Sequence, residues 1–204
     1  TQEAVDPVRY ITNHSTGKMG YAIAKIASRR GAEVTLVSGP TAEEEPAFVN
    51  VVNVCSAKEM FEAVKERAQE QDIIIKAAAV ADYRPKHIRG SKMKKTEDGS
   101  DLTLELERTD DILAYLGAHK KQGQFLCGFA METEDLIANA KRKLEKKRLD
   151  MIAANSLRVE GAGFGGNTNV VTVITKEKEV SLGKMTKEET AAELLTMIAE
   201  ARKV

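Results

Sequence analysis

The loop Asn13-His-Ser-Thr-Gly-Lys-Met-Gly20 could hold an anion, because it joins a predicted strand to a predicted helix. Its Gly17 and Gly20 leave backbone amides open to approach, and the positive end of the following helix would lie beside them. The alternative is a tight strand-to-helix turn that binds nothing. A glycine-containing turn by itself leaves these two interpretations about equal.

Two common phosphate-binding motifs can be tested against this loop. The P-loop requires Gly, four residues and then Gly-Lys-Ser/Thr, but here Thr12 stands at the first Gly and Met19 follows Lys18. The dinucleotide fingerprint requires GxGxxG and an acidic residue about 20 positions later. Ser15 stands at its first Gly, and the second predicted strand ends in Ser38-Gly39-Pro40 without an acidic residue. A nicotinamide-dependent dehydrogenase is therefore disfavoured.

Lysines form another group of side chains that could do chemistry. Lys143 and Lys147 are four residues apart on a predicted helix and therefore share a face, where like charges repel by about 0.2–0.5 kcal/mol. Lys92 lies in a predicted loop with Lys94 and Lys95, and in an extended segment Lys92 and Lys94 share a face. A triphosphate would make use of the repulsion between Lys143 and Lys147. A solvated charged surface is the alternative interpretation for both groups.

Further candidates lie where predicted strands end or a helix begins. Asp82 follows a buried strand, where its carboxylate could bind ribose hydroxyls or a metal on a triphosphate, and a turn or helix cap is the alternative. Phe129 ends another strand, where its ring could pack on a base or ribose, or simply in the core. The residues that open a helix could meet a nucleotide through their backbone amides: Asp110, Asp111, Ile112 and Leu113.

The composition argues against several classes of protein. Of 204 residues, 42% are hydrophobic and 30% are charged, so the chain can bury a core and is not mainly disordered. Its 31 basic and 31 acidic residues cancel, which disfavours generic nucleic-acid binding. Three histidines lack metal-ligand spacing, and Cys55 and Cys127 form no CxxC pair. A reducing cytoplasm and a buried structural thiol at Cys127 are therefore predicted.

Hydrophobic spacing predicts strands that alternate with helices. Strands are predicted at 8–13, 33–38, 48–54, 72–79, 101–107, 125–130 and 150–154, with a hairpin at 170–175 and 179–182. Helices are predicted at 19–30, 56–71, 111–120, 133–148 and 186–202. The alternation predicts an α/β fold with a doubly wound, mostly parallel, Rossmann-like sheet and a C-terminal β-hairpin extension. Ligands are then expected at the edge where the strands end.

The chain is predicted to form a single domain. Residues 1–7 would be a linker, which fits excision from a longer polypeptide and a shortened chain equally well. Residues 83–100 lack a hydrophobic period and contain Pro85, Gly90 and Gly99, which predicts a long mobile loop that could cover a site. The run Gly161-Ala-Gly-Phe-Gly-Gly166 precedes a strand and not a helix, so we interpret it as a flexible loop near the site.

Three blocks of sequence occur in the order found in one enzyme family. They are Asp6-Pro-Val-Arg-Tyr-Ile-Thr-Asn-His-Ser-Thr-Gly-Lys-Met-Gly20, then Ala77-Ala-Ala-Val-Ala-Asp-Tyr-Arg-Pro85 with Lys92-Met-Lys-Lys95, and then Gly128-Phe-Ala-Met-Glu-Thr133 with Ala154-Asn155. Together they cover nearly the whole chain. The chain thereby resembles the bacterial phosphopantothenate–cysteine ligases, the synthetase half of a bifunctional flavoprotein of coenzyme A biosynthesis. Thr16 stands where many members have Ser, and Asp110-Asp111 where many have Pro-Asp.

The resemblance implies a ligase that joins 4′-phosphopantothenate to L-cysteine. CTP would activate the carboxylate as an acyl-cytidylate with release of pyrophosphate, and the cysteine amine would then displace CMP. The resemblance also implies magnesium on the triphosphate and a homodimer, whose contact is formed by β structure beyond the nucleotide-binding core. It further implies fusion to a flavin-dependent phosphopantothenoylcysteine decarboxylase.

The resemblance also implies roles for the candidate residues. Asn13 would orient the acyl intermediate, and Lys92, in a flap at 83–100, would stabilise the leaving charge. The acyl substrate would be contacted by Arg9, Asn13, Ala78 and Ala79, although a salt-bridged arginine and core alanines are alternatives. The nucleotide would be contacted by Ser15, Gly17, Asp82, Lys92, Asp110, Asp111, Ile112, Leu113, Phe129, Lys143 and Lys147. Asp82 would also be the candidate magnesium ligand.

Two other classes of function stay open at this level. The first is a nucleotide-sugar or flavin reductase of similar fold, and the absent GxGxxG and ribose-binding acid argue against it. The second is a catalytically silent binding or assembly domain. The presence of Asn13, Asp82 and Lys92 argues against that silence.

Overall fold

The structure, a computed structural model, describes residues 1–94, 101–132, 134–156 and 165–202. The helices are α1 (Lys18–Arg29), α2 (Ala57–Arg67), α3 (Ile112–His119), α4 (Leu136–Lys146) and α5 (Lys187–Ala201), and a 3₁₀ turn (Ala68–Glu70) follows α2. The strands are β1 (Gln2–Ala4), β2 (Tyr10–Thr12), β3 (Val34–Ser38), β4 (Val49–Asn53), β5 (Ile73–Lys76), β6 (Tyr83–Pro85), β7 (Leu106–Arg108), β8 (Phe125–Glu132), β9 (Met151–Ser156), β10 (Thr168–Asn169), β11 (Val171–Ile174), β12 (Glu179–Ser181) and β13 (Met185–Thr186). Within these ranges, no helix is both long and apolar enough to cross a bilayer.

A five-stranded sheet in the order β12-β11-β9-β8-β5 forms the centre of the fold. Strands β5, β8 and β9 run parallel, and the hairpin β11–β12 continues the sheet in antiparallel fashion. Strands β3 and β4 form a separate parallel pair. The predicted doubly wound α/β architecture and its C-terminal hairpin are confirmed, and the hairpin lies at the edge of the central sheet.

Helices cover both faces of the central sheet, so its middle strands β8 and β9 are apolar over most of their length. On β8, Leu126 packs in a core with α2, α3 and α4. The next residue, Cys127, packs in a second core with α1 and α5. Cys127 is fully buried, and burial raises the pKa of its thiol far above the usual value. The prediction of a structural thiol at Cys127 is thereby confirmed.

Several helix boundaries follow from capping residues that the sequence displays. The Ser56 hydroxyl accepts a hydrogen bond from Glu59 N at the start of α2. Thr186 and Glu189 form a reciprocal capping box at the start of α5. A side-chain cap of this kind typically stabilises a helix by about 1 kcal/mol. The predicted and observed helices therefore begin within a few residues of each other.

The first seven residues are not a linker, contrary to the prediction. β1 pairs antiparallel with β2, and the buried Glu3 accepts a hydrogen bond of 2.9 Å from Ala57 N at the start of α2. Such a short polar segment carries no hydrophobic period. Its pairing is fixed by tertiary contacts that local patterning does not reveal.

The strand predicted at 101–107 is also wrong over most of its length. Only Leu106–Arg108 forms a ladder, and its partner is Tyr83–Pro85, at the start of the predicted loop. The alternating Leu102, Leu104 and Leu106 are all exposed. Alternation predicts a strand only where one face packs on a core, and here the described contacts provide none. Residues 95–100 of the predicted flap lie outside the described residues.

Candidate active site

Asn13 and Ala79 meet at the edge where the strands end. The Asn13 side-chain amide donates a hydrogen bond of 3.2 Å to the carbonyl oxygen of Ala79, three residues after β5. Thr1 lies beside this contact, since its hydroxyl accepts from Ala81 N at 3.2 Å. Ala78 is half-buried and packs against the core. The structure therefore brings together Asn13 and Ala79, two of the residues predicted to contact the acyl substrate.

The turn before α1 depends on a glycine. Gly17 has φ of 80°, a left-handed conformation that side chains rarely adopt, and an added Cβ would meet Thr41 Oγ1 at 3.1 Å. The Thr41 hydroxyl donates to Thr16 O at 2.8 Å and so fixes the turn. No side chain caps α1, and Ser15 is half-buried just ahead of the helix. This geometry fits an anion site and a plain turn alike, so both interpretations stay open.

The end of the glycine-rich run lies next to this turn. The Lys18 ammonium donates to Gly165 O at 3.2 Å and to Asn167 Oδ1 at 2.9 Å. Gly165, at the described end of the glycine-rich run, is therefore held at the start of α1. This position is consistent with the interpretation of the run as a loop near the site. Residues 161–164 lie outside the described residues.

Lys143 contacts the middle of β8, and Lys147, the C-cap of α4, contacts the start of α3. β8 continues to Glu132, so Phe129 does not end its strand as predicted. The Lys143 ammonium donates to Phe129 O at 3.2 Å. The Lys147 ammonium forms an ion pair with Asp111, and Asp111 in turn caps α3 by accepting from Ala114 N at 2.9 Å. Burial alone would raise the pKa of Asp111, but the Lys147 ammonium, the Ala114 N–H and the charge of Lys76 outweigh it and hold that pKa below its usual value. Four of the predicted nucleotide contacts are thus linked in two pairs, Lys143 with Phe129 and Lys147 with Asp111.

The start of α3 offers backbone and not side chains. Ile112 and Leu113 are buried in the core beneath α3, whereas Asp110 is exposed. Leu113 packs over Gly128, where an added Cβ would meet Leu113 Cδ2 at 3.1 Å. The side chains of Ile112 and Leu113 are therefore closed to a ligand, and contact through their backbone amides stays a prediction. The ring of Phe129 is half-buried and packs against the second core.

Lys76 is a residue of this edge that the sequence prediction missed. It ends β5, and its pKa is lowered from 10.5 to about 8. Burial is the main cause, and the charge of Lys143 adds to it, while Asp111 and Asp82 oppose it. The sequence does carry a signal: Lys76 is the one charged residue in an otherwise apolar run. An apolar run indicates a buried strand and does not by itself show which way a lone lysine within it points.

Asp6 is a second residue that the prediction missed. Its buried carboxylate accepts from Arg9 Nε at 3.0 Å, from Arg9 NH2 at 2.6 Å and from Met93 N at 3.0 Å. These bonds hold the pKa of Asp6 well below its usual range. Arg9 also donates to Met93 O at 2.7 Å. The salt-bridged alternative for Arg9 is therefore present, and its contact with the acyl substrate stays a prediction.

Lys92 and Asp82 are exposed at this end of the molecule. Lys92 precedes Met93, which the Asp6–Arg9 pair holds on both backbone groups. The Asp82 carbonyl accepts from Thr109 N at 3.0 Å, and its carboxylate side chain faces solvent. Among the described residues, no group of three or more His, Cys, Asp or Glu could hold a metal by itself. Mg²⁺ on a triphosphate needs only one or two protein carboxylates, so Asp82 fits that smaller role.

Known proteins share both the sequence and the fold. The chain matches over residues 1–201 the family model described as DNA/pantothenate metabolism flavoprotein C-terminal domain. It is 48% identical over 198 residues to the coenzyme A biosynthesis bifunctional protein CoaBC of Vibrio vulnificus (strain YJ016), covering 97% of this chain and 49% of that protein. It is 48% identical over 205 residues to CoaBC of Bacillus subtilis (strain 168), covering 100% and 50%.

A solved structure agrees with these relatives. The crystal structure of the C-terminal domain of the coenzyme A biosynthesis bifunctional protein CoaBC matches with a TM-score of 0.82 and 45% identity, over 97% of this chain and 89% of that one. The chain spans about half the length of the curated relatives it matches.

Proposed function

The chain belongs to the family of the DNA/pantothenate metabolism flavoprotein C-terminal domain, and from that membership we propose that it is a phosphopantothenate–cysteine ligase. It joins 4′-phosphopantothenate to L-cysteine at the expense of CTP, as a step of coenzyme A biosynthesis. The names of the relatives support the pathway. The observation that carries the proposal is the juxtaposition, at one sheet edge, of the Asn13–Ala79 contact with Lys143 of α4 and Lys147 at its C-cap.

The cationic end of this edge suits the activation step. A carboxylate oxygen of phosphopantothenate attacks the α-phosphorus of CTP, a P–O bond forms, and the bond to pyrophosphate breaks. Negative charge builds up on the transferring and leaving phosphates. Lys147 lies beside the first backbone amides of α3 through its pair with Asp111, and Lys143 lies on Phe129 O. Ammonium groups and helix N-terminal amides both favour such charge. Lys92 adds a third cation from the segment that Asp6 and Arg9 hold.

The Asn13 end of the edge suits the second step. The amine of cysteine, once deprotonated, attacks the acyl carbon of the cytidylate; an amide N–C bond forms and CMP leaves with its oxygen. Asn13 already donates to Ala79 O, so its amide is oriented by the strand end. One side-chain oxygen of Asn13 is then left to direct the substrate, and the small side chains at 78 and 79 let the acyl group approach the backbone.

Magnesium is part of the proposal through Asp82. When bound, the ion would neutralise part of the triphosphate charge. Asp82 follows β5 at the carboxyl edge and exposes its carboxylate, which is an oxygen ligand of the type Mg²⁺ prefers. The oxygens of the triphosphate and water complete such a site.

The assembly is also proposed from the relatives. Their shared name describes a bifunctional protein twice the length of this chain, which supports fusion to a flavin-dependent decarboxylase half. We extend the proposal to a homodimer, which sedimentation equilibrium tests through the mass in solution. The cytoplasm is the proposed compartment, where reducing conditions keep Cys55 and Cys127 as free thiols.

The experiment that tests the function follows pyrophosphate. The protein is mixed with CTP, magnesium and phosphopantothenate, and pyrophosphate is measured before and after cysteine is added. We expect a burst of about one pyrophosphate per site without cysteine and continuous release with it. A parallel mixture with ATP in place of CTP tests which nucleotide is used. A mixture without phosphopantothenate tests whether pyrophosphate release depends on that substrate. Absence of release in all mixtures, or release without phosphopantothenate, would contradict the proposal.

A further inference from the structure

Lys76 points to the same face of the sheet as α3 and α4. Side chains alternate along β5: Ile73 and Ile75 pack in the core of α1 and α5, and Ile74 packs in the core of α2, α3 and α4. Lys76 shares the face of Ile74. It is also the last residue of β5, so its side chain lies at the carboxyl edge on the face that carries Lys143 and Lys147.

The neighbouring strand brings Lys76 close to Lys143. Lys76 lies opposite Gly128 in the ladder between β5 and β8. The next residue of β8, Phe129, accepts the hydrogen bond from Lys143 through its carbonyl oxygen. The space above Gly128 is filled by Leu113 and Leu149, the latter 2.9 Å from the position of an added Cβ. The half-buried Lys76 stem therefore has apolar neighbours, and its ammonium is close enough to Lys143, Asp111 and Asp82 to be influenced by their charges.

Lys76 differs from the other two lysines in its partners. Lys143 donates to Phe129 O, and Lys147 pairs with Asp111. Among the described residues, the Lys76 ammonium has no hydrogen-bond or ion-pair partner. Its charged surroundings are Lys143 from α4, Lys147 at the C-cap of α4, Asp111 at the N-cap of α3, and Asp82 after β5. Three cations therefore face two carboxylates.

We propose that Lys76 is a further phosphate-binding residue, which contacts the triphosphate of the nucleotide together with Lys143 and Lys147. The inference rests on the proposed function and adds a residue to its site. An unpartnered ammonium in half-buried surroundings is costly, and a polyphosphate supplies the missing acceptors. The alternative is a lysine whose stem fills space while its ammonium reaches water.

Binding of a triphosphate beside Lys76 should be coupled to the uptake of protons. In the free protein the Lys76 pKa is about 8, so about half of these side chains are neutral at pH 8. A bound triphosphate favours the charged form and raises the pKa. Binding at pH 8 should therefore take up about half a proton per site through Lys76, and at pH 6.5 almost none, because Lys76 is already charged there.

The stability of the free protein gives an independent readout. The folded-state pKa of Lys76 is lowered from 10.5 to about 8. The charged form therefore destabilises the fold below about pH 8, and this cost disappears as the pH rises towards 10.5. Lys76→Met should raise the melting temperature at pH 7, and the gain should shrink above pH 8. A melting temperature at or above that of the wild type would show that Lys76→Met is folded, so that any loss of CTP binding reflects a lost ligand contact.

Titration calorimetry of CTP with magnesium tests the inference, in pairs of buffers with different ionisation enthalpies at pH 6.5 and 8. Lys76→Met should weaken binding of CTP and of pyrophosphate by about 10-fold or more and remove the proton uptake seen at pH 8. Lys76→Arg, which keeps the charge without titrating, should retain most of the affinity and also lose the uptake. The control Lys176→Met removes an exposed lysine between β11 and β12. It should change neither the affinity for CTP nor the proton uptake at pH 8.

The outcomes separate the two proposals. Wild-type affinity for CTP and pyrophosphate in Lys76→Met, with proton uptake intact, would overturn the role of Lys76 and leave the ligase untouched. A wild-type protein that binds no CTP would overturn the proposed nucleotide and, with it, this inference.

Discussion

The carboxylate of Asp6 accepts a hydrogen bond of 3.0 Å from the backbone N–H of Met93, 87 residues away in the sequence. The same carboxylate accepts from Val8 N and Arg9 N, at 2.8 and 2.9 Å, and from the Arg9 guanidinium. Arg9 closes the arrangement by donating to Met93 O. The residue next to Lys92 is thus fixed on both its backbone groups, although Lys92 itself is exposed.

Replacing Asp6 by Asn should damage both stability and catalysis. The amide keeps one acceptor but places an N–H2 group against the donors of Arg9 and Met93. Loss of a buried charged hydrogen-bond acceptor typically costs 1–3 kcal/mol or more, and we expect a loss of about that size here. Urea unfolding measures the loss, and kcat should fall with it, because the segment that carries Lys92 is no longer held.

The stability difference between wild type and Asp6→Asn should depend on pH. The folded-state pKa of Asp6 is depressed, so its stabilisation is present above the unfolded pKa of about 4 and is lost as the pH falls further. Unfolding at pH 7 and pH 3 provides the comparison. A difference of equal size at both values would show that the Asp6 charge does not hold the segment.

Lys92→Gln should abolish turnover with little effect on the fold. An exposed lysine typically contributes within about ±0.5 kcal/mol to stability, whereas a charge directed at the transferring phosphates is worth about 10²-fold or more in rate. The matched control is Lys94→Gln, which removes another exposed lysine of the same segment. Equal and near-normal kcat for both variants would mean that the lysines form only a solvated surface.

Replacing both Lys143 and Lys147 by Gln should raise the apparent KM for CTP strongly and leave that for cysteine nearly unchanged. Sequence spacing alone predicts relief of repulsion and unchanged or higher stability. The structure changes that expectation, because Lys147 pairs with Asp111 and Lys143 donates to Phe129 O. The melting temperature without ligand should fall slightly. Saturating CTP should raise the melting temperature of the wild type more than that of the variant. Equal increases in melting temperature would rule out a nucleotide contact by these lysines.

Asn13→Asp should uncouple the two half-reactions. A negative charge beside Ala79 O, which Asn13 now binds through its amide, loses that hydrogen bond and repels the phosphoryl group of the intermediate. Pyrophosphate release should persist better than ligation, so the acyl-cytidylate accumulates and mass spectrometry of the quenched reaction detects it. Wild-type rates of cysteine ligation would remove Asn13 from the mechanism.

Much of the fold could be predicted because its signals are local. The apolar runs at β5 and β8 and the caps Ser56 and Thr186 each report their own element. The strand predicted at 101–107 failed because alternation shows which side chains share a face but not whether a core lies beneath it. Leu102 and Leu104 are exposed.

Residue type together with a predicted strand end singled out Asn13, Asp82 and Phe129. In the structure the Asn13 amide donates to Ala79 O, and Phe129 O accepts from Lys143, although β8 continues past Phe129 to Glu132. The roles of these residues in binding stay predictions. Asp6 was missed because its partner Met93 is distant in sequence. Lys76 was missed because a charge within an apolar run carries meaning only when its face of the sheet is known.

The central claim, that a carboxylate is activated on the α-phosphorus of CTP before cysteine attacks, is tested most directly with isotopes. Phosphopantothenate carrying ¹⁸O in both carboxylate oxygens is turned over with CTP and cysteine, and each product is weighed by mass spectrometry. We expect one ¹⁸O in CMP and one in the new amide, because the attacking oxygen leaves with the cytidylate. Label in inorganic phosphate with release of CDP, or unlabelled CMP, would contradict the acyl-cytidylate and the ligase mechanism built on it.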